Sequence, residues 1–160
     1  VRDNPGDDRD CYVKSTLCKE LAFMLTIYSP IQMAADLIEN YEGHPAFQFI
    51  EDVATDWSDS KVMHAKIGDY YTVARRERGT DNWFIGSVTD ENGRDLELDL
   101  SEILSDGVSY QATIYADGKD AHWKENPEVY KISKRTVSSK DKIVMHLAPG
   151  GGQAIIIKKI

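Results

Sequence analysis

The sequence predicts a mainly β chain, an antiparallel β-sandwich or barrel led in by helices and loops. Three observations carry this reading. Apolar residues recur at three- and four-residue spacing before Gly68, whereas nearly everything after it reads as strand and turn. About eight short β-rich segments follow one another with turn signals between them, the signature of a sandwich or barrel. Within them, Leu96-Glu97-Leu98-Asp99-Leu100 alternates strictly, so one face is buried and the other wet.

Residues 1–10 are acidic and turn-rich and read as a frayed terminus or loop. A calcium loop is the functional alternative, but the EF-hand spacing is absent. Residues 12–28 form a helical pattern through Val13, Leu17, Leu21, Met24, Leu25 and Tyr28, and Ser29-Pro30 stops it. Its second half is apolar almost all round, so it needs partners on several sides. The chain is therefore expected to belong to something larger. Alone, this helix is expected to expose a sticky stripe (Leu17, Leu21, Met24, Leu25, Tyr28) that either self-associates or packs on the sandwich.

Residues 31–36 are a short apolar run ending in a carboxylate, the pattern of a buried parallel strand. Helix, Ser-Pro break, strand and acidic loop is the order of a β/α barrel. Asp36, Glu39, Asn40 and Tyr41 would then lie on the loop after a barrel strand, the face where barrel sites are built. The plain alternative is a solvated acidic turn. Pro45 opens a short amphipathic helix that runs to Val53 with Phe47, Phe49 and Ile50.

Residues 55–60 read as a polar hinge, which divides the chain into 1–55 and 56–160 and predicts that the second part folds alone. Strands are expected at 61–67, 70–74, 83–88, 96–100, 110–116, 129–136, 142–147 and 153–158. Gly79-Thr80-Asp81-Asn82 supplies turn chemistry, and Asn92-Gly93 is a hairpin signal.

The 160 residues carry a formal charge of −8, a poor match to nucleic acid or anionic membranes. The longest apolar run, 21–28, is too short to span a bilayer. No secretory signal is visible, and a start at Val1 suggests an excised or processed piece. Cys11 and Cys18 on one helix would stand roughly 10 Å apart along its axis. A disulfide needs its Cα atoms within roughly 7 Å. A bridge is thus possible only if the helix begins after Cys11. No C-x-x-C or paired histidine supports zinc.

Few residues suggest chemistry. Gly150-Gly151-Gly152 has the composition of a phosphate cradle, but it opens no helix and no Lys-Ser/Thr follows, so a tight turn is the simpler reading. Asp117, Asp120 and His122 are close enough in sequence for a metal or an acid–base pair, or are merely a turn. His44 is placed at a helix end, and His64 and His146 in strands. Trp57, Trp83 and Trp123 suit either sugar stacking or a core. No nucleophile elbow and no complete acid–base pair is present.

Four stretches carry a family resemblance: YSPIQMAADLIENYEGHPAFQFI (28–50), GDYYTVARRERGTDNWFIGSVTDENGR (68–94), YQATIYADGKDAHWKENPEVYKI (110–132) and LAPGGGQAIII (147–157). Together they resemble the C-terminal part of glycoside hydrolase family 97, a family of α-glucosidases and α-galactosidases. The resemblance implies an N-terminal β-supersandwich and a central (β/α)8 barrel upstream, with 1–55 as the last barrel helices and strand and 56–160 as a C-terminal sandwich. It also implies an α-linked oligosaccharide as the parent's substrate and a periplasmic or secreted location for the parent. The catalytic glutamates and the carboxylates that hold calcium are expected upstream of Val1, which leaves this segment with no catalytic residue and no bound ion of its own. Its partners would be the rest of the barrel and the N-terminal domain. The rival expectations are a carbohydrate-binding module, which requires exposed coplanar aromatics, and an oligomerisation domain.

Overall fold

The computed structural model describes residues 13–33 and 37–160. Eight strands form, as expected: β1 (Trp57–Lys66), β2 (Tyr70–Glu77), β3 (Trp83–Thr89), β4 (Arg94–Asp99), β5 (Tyr110–Asp117), β6 (Tyr130–Val137), β7 (Lys142–Leu147) and β8 (Gly152–Lys159). Every pairing is antiparallel, in a six-stranded sheet of order β1-β2-β3-β8-β5-β6 and a two-stranded sheet β4-β7.

The inner faces of the two sheets enclose one core. Leu98, Ile143, Met145 and Leu147 of the small sheet meet Trp83, Ile85, Tyr110, Ile155 and Ile157 of the large one. The alternation of 96–100 does its expected work, with Leu98 and Leu100 fully buried and Glu97 exposed.

The other face of the large sheet has a core of its own. Val73, Phe84, Tyr115, Ala154 and Ile156 point away from the small sheet, onto α1 (Leu17–Thr26) and α3 (Phe47–Asp52). β8 is therefore buried on both faces, which is why Ala154-Ile155-Ile156-Ile157 is a continuous apolar run rather than an alternating one.

Four expectations need correction. The helix starts at Leu17, because Thr16 caps it: the Thr16 hydroxyl accepts from the Lys19 amide at 3.3 Å. It ends at Thr26, short of Tyr28. Of the two fates expected for its apolar stripe, packing on the sandwich is the one seen: Leu21 and Leu25 are 5% and 0% exposed against the sheet, while Tyr28, beyond the helix, is 55% exposed. Residues 55–60 are not a hinge either: β1 begins at Trp57 and pairs at once with Glu77.

Third, Asn92-Gly93 makes no hairpin. β4 leaves its neighbour β3 and pairs with β7 in the other sheet. Asp90 organises this corner, accepting from the Asn92 amide at 3.0 Å and from Arg94 at 2.5 Å. Finally, residues 31–33 are not in a strand. A barrel strand needs a ladder partner, and none is present among the described residues; 34–36 lie outside them. Residues Ile38–Tyr41 instead form one helical turn, α2. Among the described residues no helix is long and apolar enough to cross a membrane.

Candidate functional site

The described residues hold no catalytic constellation. What they present is a bare apolar surface after α1 and a polar latch that fixes α1 to the sandwich.

The latch is built around Asp117, at the end of β5 and 7% exposed. The Thr16 hydroxyl donates to Oδ1 at 2.6 Å, and the amides of Ala148 and Gly152 donate to Oδ2 at 3.0 and 2.9 Å. The turn from Ala148 to Gly152 thus cradles the chain's own carboxylate, with Gly152 the one of the three glycines that donates to it. A Cβ on Gly151 would run into Asp117 Oδ2, and one on Gly152 would come within 2.7 Å of Lys19 Cα. Burial pushes the Asp117 carboxyl above its ordinary value, against the three donors that favour its charge. Beside it, burial and then the Asp117 charge push the Cys18 thiol up, so Cys18 is a packing residue rather than a nucleophile. Cys11 lies outside the described residues.

Asp120 and His122 do not join Asp117. The His122 ring stacks on Trp123 at 5.8 Å, and the Asp120 carbonyl accepts from Asn126. No group of three or more His, Cys, Asp or Glu side chains that could hold a metal ion occurs among the described residues. The tryptophans form no sugar platform. Trp83 is in the inter-sheet core, Trp57 packs edge-on against Phe84 at 5.4 Å, and Trp123 lies over Gly150. His44 stands at a helix start as expected, its Nδ1 accepting from the Ala46 amide at 3.2 Å. His64 binds the Glu97 carbonyl at 3.1 Å, while His146 pairs on the surface with Asp95.

The four residues expected on a substrate-side loop divide. Asp36 lies outside the described residues. Glu39 and Asn40 are exposed on α2, and Tyr41 is half-buried against the Phe47 ring at 5.4 Å. They flank the largest bare apolar stretch: Ile27, Tyr28, Ile31, Met33, Leu37 and Ile38 are each between 55% and 84% exposed. These six are half of the twelve exposed large apolar residues among the described ones, all between α1 and α3 in sequence. The connection is held at its start by Arg75, which donates to the Leu25 carbonyl at 2.8 Å and lies over the Tyr28 ring at 5.1 Å. Sequence reasoning left the α1 stripe either self-associating or packed on the sandwich. The signal that separates the two is Gly86, since only a residue without a side chain lets a helix lie that close to a strand.

Comparison with known proteins gives a consistent result. Residues 56–158 match the family model "Glycosyl-hydrolase 97 C-terminal, oligomerisation". A retaining alpha-galactosidase of Bacteroides thetaiotaomicron is 37% identical over 158 residues, which is 96% of this chain and 23% of that protein. A glycoside hydrolase family 97 enzyme from Pseudoalteromonas sp. strain K8, solved in complex with acarbose, superposes with a TM-score of 0.88 at 45% identity, over 92% of this chain and 23% of that one. A beta-arabinopyranosidase shares the fold, with a TM-score of 0.70 at 24% identity. The chain thus spans about a quarter of the length of these relatives.

Proposed function

Since the chain belongs to glycoside hydrolase family 97 as its C-terminal segment, we propose that it braces the catalytic barrel of an α-glycoside hydrolase and contributes no catalytic group itself. The parent would cleave α-glucosides or α-galactosides; the 37%-identical retaining alpha-galactosidase and the acarbose-bound enzyme support that substrate class. Residues 1–55 would close the barrel and 56–160 form the sandwich, a division supported by the 56–158 span of the family match. Export to the periplasm or beyond, and a calcium ion held by upstream carboxylates, complete this reading on the family resemblance alone.

One observation carries it: six exposed apolar side chains within residues 27–33 and 37–38, which the sandwich leaves uncovered. A patch of this kind rarely stays in water on a monomer. Upstream domains would cover it, and α1, latched by Asp117, would transmit their position to the sandwich.

Ile31→Asp and Met33→Asp test this. They should lower the melting temperature of the whole polypeptide and leave that of the 160-residue chain unchanged. The isolated chain should also be silent on p-nitrophenyl α-glucoside and α-galactoside, with or without calcium. Turnover that co-purifies with it, or indifference of the whole polypeptide to both substitutions, would defeat the reading.

The description of the family model favours a second role, oligomerisation of the parent through this segment. The α1 stripe is not the route, since Leu21 and Leu25 are buried. Light scattering of the isolated chain tests it: a strict monomer at high concentration counts against this role.

A further inference from the structure

We propose a second docking surface for the upstream polypeptide, in the groove between the Lys19 and Phe23 side of α1 and the tip of the β1–β2 hairpin. The inference rests on the bracing role above but concerns a different face. The hairpin turns at Gly68, whose φ of +87° suits glycine, and Ile67 beside it is fully exposed, at 102%. Turn tips favour glycine, asparagine and aspartate, so an isoleucine there has no local purpose. It stands at the mouth of a groove lined by Phe23 of α1 with Ala65, Tyr71 and Val88 of the sheet.

The charges around this groove are already engaged. Lys19 Nζ donates to the Thr89 carbonyl at 2.6 Å, and Lys66 pairs with Asp69 at 2.5 Å. Arg94 pairs with Asp90 at 2.5 Å and lies over the Tyr70 ring at 4.8 Å. What the groove offers an incoming group is apolar area rather than a donor, so it suits an apolar ridge of polypeptide and not a sugar or a phosphate.

The path of the chain identifies the occupant. The Thr16 amide donates to the Gly150 carbonyl at the sheet end where Lys19 reaches Thr89, so the start of α1, the end nearer the upstream polypeptide in sequence, lies beside the groove. More than three quarters of each relative lies outside the matched part, and the family match is to a C-terminal region. The exposed apolar residues within 27–33 and 37–38 follow the opposite end of α1. The upstream body would therefore grip α1 at both ends.

Ile67→Asp, compared in the whole polypeptide and in the 160-residue chain, is the test, with Ile31→Asp alongside. In the whole polypeptide the amides of residues 66–69 should exchange about tenfold more slowly than in the short chain. Ile67→Asp should abolish that protection and lower the melting temperature of the whole polypeptide only. If Ile31→Asp destabilises the whole polypeptide and Ile67→Asp does nothing, this groove is not a docking surface and the bracing role stands. If neither does, both ideas fall. If the short chain is an oligomer that Ile67→Asp dissociates, the occupant is a second copy, and the assignment to the upstream polypeptide is wrong.

Discussion

Gly86→Ala asks whether α1 belongs to the sandwich's own core. An alanine Cβ at this position in β3 would lie 2.8 Å from the Ala22 carbonyl oxygen and 2.8 Å from Leu25 Cβ. Both obstacles are rigid, one being helix backbone and the other the first atom of a buried side chain, so α1 must lift. Overpacking of this kind costs about 1–3 kcal/mol. Against it, alanine reduces the freedom of the unfolded chain, which is worth about 0.4–1 kcal/mol where the backbone tolerates it. Gly86 does not have a positive φ, so that gain applies in full. The net is a loss of about 0–2.6 kcal/mol, centred on ~1.3, which at the centre lowers the melting temperature by about 3–5 °C for a chain of this size. Thermal unfolding followed by circular dichroism measures it. The two alternatives differ in sign: with α1 undocked, only the entropic gain remains and the variant melts higher. A rise in melting temperature refutes the packing argument. Leu25→Ala should not rescue the variant, because alanine keeps the Cβ that Gly86 avoids.

Three further outcomes are expected. Thr16→Val removes the helix cap and one of three donors to a buried carboxylate, and should cost about 2–4 kcal/mol by urea titration; an unchanged midpoint would show that the latch is not holding α1. A chain starting at Asp56 strips α1 and α3 from Phe84, Tyr115 and Ile156, and should bind a hydrophobic dye and melt without cooperativity; a sharp transition would restore the sequence-based expectation of an independent sandwich. Burial pushes the Asp90 carboxyl up, but the Asn92 amide and side chain and Arg94 outweigh it and hold it at about 2. Its stabilising contribution should therefore be complete above the ordinary value of 3.8 and be lost as pH falls through about 2, so a carboxyl carbon titrating near 4 by NMR would contradict the geometry of that corner.

Much of this protein is written locally. Strand positions follow from two-residue alternation and turn chemistry within a few positions, and all eight strands were legible for that reason. The unbroken run Ala154–Ile157 even records that β8 is covered on both sides. The family could be read from four ordered stretches. Tertiary structure decided what joins distant residues. Asn92-Gly93 carries a hairpin signal, yet β4 pairs with β7 some fifty residues on, because register depends on which faces must be buried together and not on the turn alone. The triple glycine reads as a loop until Asp117 arrives from 35 residues away to be cradled in it. The apolar stripe of α1 looks orphaned until Gly86 and Gly152 let the helix settle on the sheet, which leaves the bare surface on residues 27–33 and 37–38. An apolar pattern states that a face will be covered; only the fold states by what.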